Sequence, residues 1–127
     1  MKTKNFKNFK MDNEVYKIRR QVIDIIYQAK KIANLPRIDV RVGDARHNIL
    51  GIAQMGDCKV WIDVGKSSNN LLQVVLHEIC HSVWSIEHDE NCPLMCSTAK
   101  TISDKKAWNC FRKYMLAMKL IKNESRN

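Results

Sequence analysis

From Val15 onward apolar residues recur every three or four positions: Val15, Ile18, Val22, Ile25, Ile26, Ala29, Ile32 and Ala33. That spacing predicts an amphipathic helix, capped at Asp12 or Asn13 and stopped at "NLPR", where Pro36 disfavours helix at Leu35. Residues 1–11, lysine-rich and outside the pattern, predict a flexible basic arm ahead of a single domain over 12–127. The period then shortens. "RIDVRV" (37–42), "NILGIAQM" (48–55) and "KVWIDV" (59–64) read as three strands, separated by "GDARH" and "GDC", whose Gly-Asp pairs favour turns. Trp61, alternating with Val60, Ile62 and Val64, predicts a last strand covered on both faces. After "GKSSNN", with Ser67, Ser68 or Asn69 as N-cap, comes "LLQVVLHEICHSVW". It is apolar nearly all round, the mark of a buried central helix. An irregular stretch follows. From Thr101 or Ser103 a further helix sets Trp108, Phe111, Met115, Met118 and Ile121 on one stripe, which reads as core packed behind the preceding loop. The order predicts a small α+β domain: N-terminal helix, three-stranded mostly antiparallel or mixed sheet, central helix, C-terminal helix.

Composition narrows the setting. A chain of 127 residues with 45% hydrophobic positions can bury one core without disulfide staples. Its five cysteines are an odd number without the framework of a small secreted protein, so reduced thiols in a cytoplasmic protein are expected. The N-terminus has the charge of a signal peptide but no apolar segment behind it, and no apolar run approaches about 18 residues, so no membrane partner is expected. A net charge of +9 favours weak association with nucleic acid through a basic surface, or else marks a lysine-rich solvated exterior. A monomer is expected.

The chemistry concentrates in "HEICHSVWSIEHDENCPLMC", residues 77–96. His77 and His81 stand four apart on the central helix, so both imidazoles leave one face and can share an ion. Glu78 lies about 100° round the helix, able to reach a water beside that ion without ligating it. Imidazole and carboxylate suit zinc, which lowers the pKa of a bound water toward neutrality while Glu78 accepts the proton. The helix must then end and the chain reverse for a third ligand. His88 is the first choice, with Glu87, Asp89 and Glu90 as alternatives. His47, in "GDARHN", has no partner in spacing and reads as a loop residue; Cys80, inside the helix, reads as core.

HExxH, a third histidine soon after and a methionine in "CPLMC" resemble the metzincin clan of zinc peptidases. The stretch "NILGIAQMGDCKVWIDV" ahead of "NNLLQVVLHEICH" is similar to the matrixin arrangement, and the cysteines beside Met95 are similar to those of archaemetzincins. The likeness spans roughly residues 48–97 and implies a zincin-like domain and an endopeptidase with one catalytic zinc on His77, His81 and His88. It further implies Met95 as the Met-turn residue and an extended peptide paired with Leu50, Gly51, Ile52, Ala53 and Gln54. Two departures stand out: Trp84 occupies the place of the family's glycine, and His88 arrives one residue late. A second, structural zinc on Cys92, Cys96 and Cys110 lacks a fourth ligand, so free thiols are expected there. Three other readings compete. The first is an endoribonuclease like the bacterial rRNA-maturation family, which also uses three histidines but has no glutamate after the first. The others are a peptidase acting on nucleic-acid-associated proteins and a non-catalytic zinc module.

Overall fold

The computed structural model describes residues 6–43, 51–53, 56–63, 70–97 and 101–120. Within them three helices and three strands follow in the order α1 (Phe6–Ala29), β1 (Asp39–Gly43), β2 (Gly51–Ala53), β3 (Lys59–Asp63), α2 (Leu71–Trp84) and α3 (Asp104–Ala117). The fold is mixed α+β. β3 pairs with β1 in parallel, Val40 opposite Val60, and with β2 antiparallel, Ile52 opposite Trp61. This puts β3 between the other two.

α1 buries the stripe its periodicity predicts, Ile18, Val22, Ile26 and Ala29, with Ile25 at the margin, but it ends at Ala29, short of the expected stop at Leu35, so Ile32 and Ala33 join the core from the turn that follows. It begins earlier than the Asp12 or Asn13 cap suggests. Residues 6–11 of the expected basic arm are helical, because no glycine or proline interrupts them and asparagine and aspartate are tolerated inside a helix. Its middle is tied to the sheet: the Arg19 guanidinium donates to the Val40 carbonyl at 2.8 Å.

α2 is the hub. It packs against β2, β3, α1 and α3, and buries Leu72, Val74, Val75, Leu76, Ile79 and Cys80. Each large aliphatic side chain so buried contributes about 1.5–3 kcal/mol. Asn70 takes the N-cap position, beyond the expected Ser67–Asn69, and its side chain makes no cap bond. Residues 67–69 themselves, like His47, lie outside the described residues. At the other end the helix stops at Trp84 without the glycine such a stop favours. Ser85 takes the left-handed conformation instead, φ 56° and ψ 33°, at a cost of roughly 1–2 kcal/mol. The N–H groups of Ser85 and Ile86 bond to the His81 and Cys80 carbonyls. The chain reverses there.

α3 is capped by Ser103, whose hydroxyl accepts from the Lys106 N–H at 3.1 Å. Phe111 and Met115 are fully buried and Trp108 lies at the core's edge. Met118 falls past the helix end and is exposed, so the predicted stripe stops short of it, and Ile121 lies outside the described residues. Trp61 also departs from expectation. Val60 and Ile62 are buried, but Trp61 is 43% exposed, so β3 has one covered face and one open face. Val60 and Ile62 point into the core, and strand alternation turns Trp61 away from it. No helix among the described residues is long and apolar enough to cross a membrane.

Candidate metal centre

His77, His81 and His88 come together. One donor nitrogen from each lies within 4.8 Å of the other two, and the ring centroids stand 4.6, 5.2 and 4.8 Å apart. The first two rings come from one face of α2; the third comes from the loop that Ser85 turns back. His77 and His81 are half-buried and His88 is exposed, so the cluster opens to solvent on the loop side.

Backbone carbonyls fix the ring orientations. His77 Nδ1 lies 2.7 Å from the Leu94 carbonyl and His81 Nδ1 lies 2.6 Å from the Ile86 carbonyl. Contacts this short to an oxygen require N–H at both Nδ1 atoms, which leaves both Nε2 atoms as bare lone pairs. Those two Nε2 atoms are 3.1 Å apart. Two lone pairs facing each other repel unless a cation stands between them, and the candidates are a proton or a metal ion. Burial, the largest influence on both rings, lowers the pKa of His77 and of His81, which disfavours the proton. The donor set therefore fits a metal ion, and the carbonyl partners supply the outer support that ligating histidines use.

The neighbouring acids are otherwise engaged. Asp89 accepts from the Asn91 N–H and from the Tyr114 hydroxyl, at 3.0 and 2.8 Å, which together hold its carboxyl below the ordinary range. Glu90 accepts from the Ser97 N–H. Of the alternatives considered for the third position, then, only His88 joins the cluster among the described residues. The Tyr114 contact also clamps the loop to α3. Met95 is fully buried in a tight turn, its N–H on the Cys92 carbonyl and its own carbonyl accepting from Asp89 N–H, so loop and turn form one hydrogen-bonded unit. Cys92, Cys96 and Cys110 are half-buried thiols, and among the described residues they form no three-donor cluster. Cys80 is wholly buried in α2.

Glu78 is 8% exposed. Among the described residues it has no hydrogen-bond or ion-pair partner, and burial alone raises its carboxyl from 4.5 to about 7. The folded state therefore holds this proton to higher pH than the unfolded chain does, with a definite pH signature. The folded pKa lies above the unfolded one, so this group's contribution is fully present below pH 4.5 and is lost as pH rises through about 7. The loss is at most about 3 kcal/mol. His77 and His81, with lowered values, act in the opposite sense as pH falls below 6.5. The comparison of variants isolates the glutamate: in chelated protein, Glu78→Gln should unfold in urea like wild type near pH 4.5 and be the more stable of the two at pH 8. Equal stability at both would show that Glu78 is solvated.

Of the expected substrate strand, Gly51, Ile52 and Ala53 form β2, while Leu50 and Gln54 lie outside the described residues. The turn after β2 is anchored to α2, Gly56 N–H on the His81 carbonyl at 3.2 Å and Cys58 N–H on the Ser82 carbonyl at 3.0 Å. Sequence reasoning missed the carbonyls of Ile86 and Leu94 and the Asp89–Tyr114 tie. Backbone carbonyls carry no residue signature; Pro93 in a polar turn was the only hint. No protein-family model, curated protein or solved structure matches this chain.

Proposed function

We propose that the chain is a zinc-dependent endopeptidase with a zincin-like domain, acting on extended protein segments. The observation that carries this reading is a buried carboxyl, Glu78, without a hydrogen-bond or ion-pair partner among the described residues, next in sequence to the first of two helical histidines whose bare Nε2 atoms face each other at 3.1 Å. His77, His81 and His88 would hold the ion. Two nitrogens on one tetrahedral zinc stand ~3.3 Å apart at bond lengths of about 2.0–2.1 Å, close to the spacing here. When bound, zinc supplies a Lewis acid that acidifies water and polarises a carbonyl.

The remaining work belongs to the chain. Glu78, with its carboxyl near pH 7, is matched to accept a proton from an attacking water and return it to the departing amine. The Ile86 and Leu94 carbonyls keep both Nδ1 atoms protonated and so keep Nε2 on the ion. Among the described strands β2 is an edge of the sheet, and an extended segment added there would gain main-chain hydrogen bonds without needing a particular sequence. Met95 fits the Met-turn role, a buried floor holding the loop in register. The endoribonuclease reading draws on the charge of +9 but leaves Glu78 without a task. The test is digestion of casein: wild type should cut it, chelation should abolish cleavage, and added zinc should restore it. Zinc-dependent cleavage of RNA with casein untouched would reverse the assignment.

A further inference from the structure

The face of α1 turned away from the core is not the mixed lysine–glutamate surface that a solvated helix usually presents. Tyr16, Arg20, Ile23, Tyr27 and Lys31 follow one another at helical spacing, within an arc of about 80° opposite the buried stripe. Tyr16 is 63% exposed, Tyr27 61% and Ile23 46%. Each tyrosine carries a cation: the Arg20 guanidinium lies 5.9 Å from the Tyr16 ring centre, and the Lys31 ammonium 5.1 Å from that of Tyr27. Lys17 and Lys30 flank the stripe, with Asp24 the one acid between them. The metal centre makes no use of any of these residues.

We infer that this stripe is a docking surface for single-stranded nucleic acid. Two exposed rings, each beside a positive charge, offer at two points what a nucleotide presents, a flat base and a phosphate. The rings are about 16 Å apart along the helix, room for several nucleotides between them. A duplex would hide its base faces and leave the tyrosines idle. An anionic membrane calls for a broad apolar face, and the apolar stripe from Ile18 to Ala29 is spent on the core; among the α1 side chains described, Ile23 is the exposed aliphatic one. A second copy would bring Arg20 and Lys31 against their own likenesses, on a chain already at +9. The charge complementarity of the stripe thus selects a flexible polyanion with accessible bases.

The test uses full-length protein and fluorescence anisotropy with a labelled 20-nucleotide oligo(dT), at 50 and 200 mM salt. Binding should exceed that of a hairpin duplex of equal length. Tyr16→Ala with Tyr27→Ala should weaken it at least tenfold with the salt dependence unchanged, since stacking is lost and phosphate contacts are kept. Tyr16→Phe with Tyr27→Phe should restore it. Arg20→Gln with Lys31→Gln should lower the slope of log affinity against log salt by about 1.4, roughly 0.7 per contact. These positions are exposed, and circular dichroism confirms that each variant is folded. The inference fails if the alanine pair binds like wild type, if the duplex binds equally well, or if oligo(dT) does not bind. It fails equally if phosphatidylserine vesicles or self-association prove to depend on the tyrosines while oligo(dT) binding does not. Hydrolysis plays no part in the measurement, so its outcome is independent of the peptidase reading.

Discussion

Wild-type protein should bind one equivalent of zinc, and His77→Ala should bind none at micromolar metal. His77 and His81 are the pair whose Nε2 atoms face each other at 3.1 Å, and removing either leaves one helical donor and one loop donor. His88→Ala is the more telling variant. The residue is exposed, so its loss costs the fold little, and a decrease of a hundredfold or more in zinc affinity reports ligation alone. That exceeds the 10–100-fold typical of outer-shell changes. Asp89→Ala should fall within that lower range, because Asp89 acts through the Tyr114 hydroxyl and the loop backbone. Zinc affinities from competition with a chromophoric chelator decide the matter. Two equivalents in the wild type, one surviving His77→Ala, would locate a second site at the cysteines. An unchanged affinity in His88→Ala would remove the third ligand.

The second large effect concerns hydrolysis. Glu78→Gln keeps the shape of the side chain and removes its ability to accept a proton. It should retain zinc, fold and peptide binding while losing casein cleavage by roughly a hundredfold or more, the scale of general-base catalysis. The separation of the two readouts matters. A variant that lost zinc as well would make Glu78 part of the scaffold, and the cluster would then be a structural clip. A variant that cut as fast as wild type would leave the buried carboxylate without a chemical role. Because burial has already raised the group to about 7, a buried neutral amide should be tolerated without loss of stability above that pH.

Much of this arrangement was legible in the residues, for reasons that differ from element to element. The α1 stripe from Ile18 to Ala29 and the all-round apolar α2 are long, strongly periodic segments, where one rule acts many times. The histidine pair was legible because spacing on a helix converts directly into direction. The three strand runs were located, yet their pairing was not, since a parallel β1–β3 ladder with β2 on the far side of β3 depends on contacts between distant segments. The early start of α1 at Phe6 escaped notice because the apolar pattern begins only at Val15. With Trp84 in the place of a glycine, no residue type announces that Ser85 takes the left-handed turn that stops the helix. Trp61 was misjudged for another reason: alternation tells which residues share a face, and cannot tell what covers the second face.

The compactness of the centre along the chain has a consequence for how the protein reaches its native state. The farthest backbone partner of a ring in the histidine cluster is seventeen residues away, the Leu94 carbonyl, and the two helical rings are four apart. Closing these loops costs much the same chain entropy as the β1–β3 ladder, which joins Val40 to Val60, or the Tyr114–Asp89 tie, because the cost grows only with the logarithm of length. All three histidines of the cluster lie within residues 77–88, so an ion can meet them together in a chain whose sheet is still unformed. Such capture draws the ion toward the unfolded ensemble as well as the native one. The stability gained on adding metal then falls below what the native-state affinity alone would give.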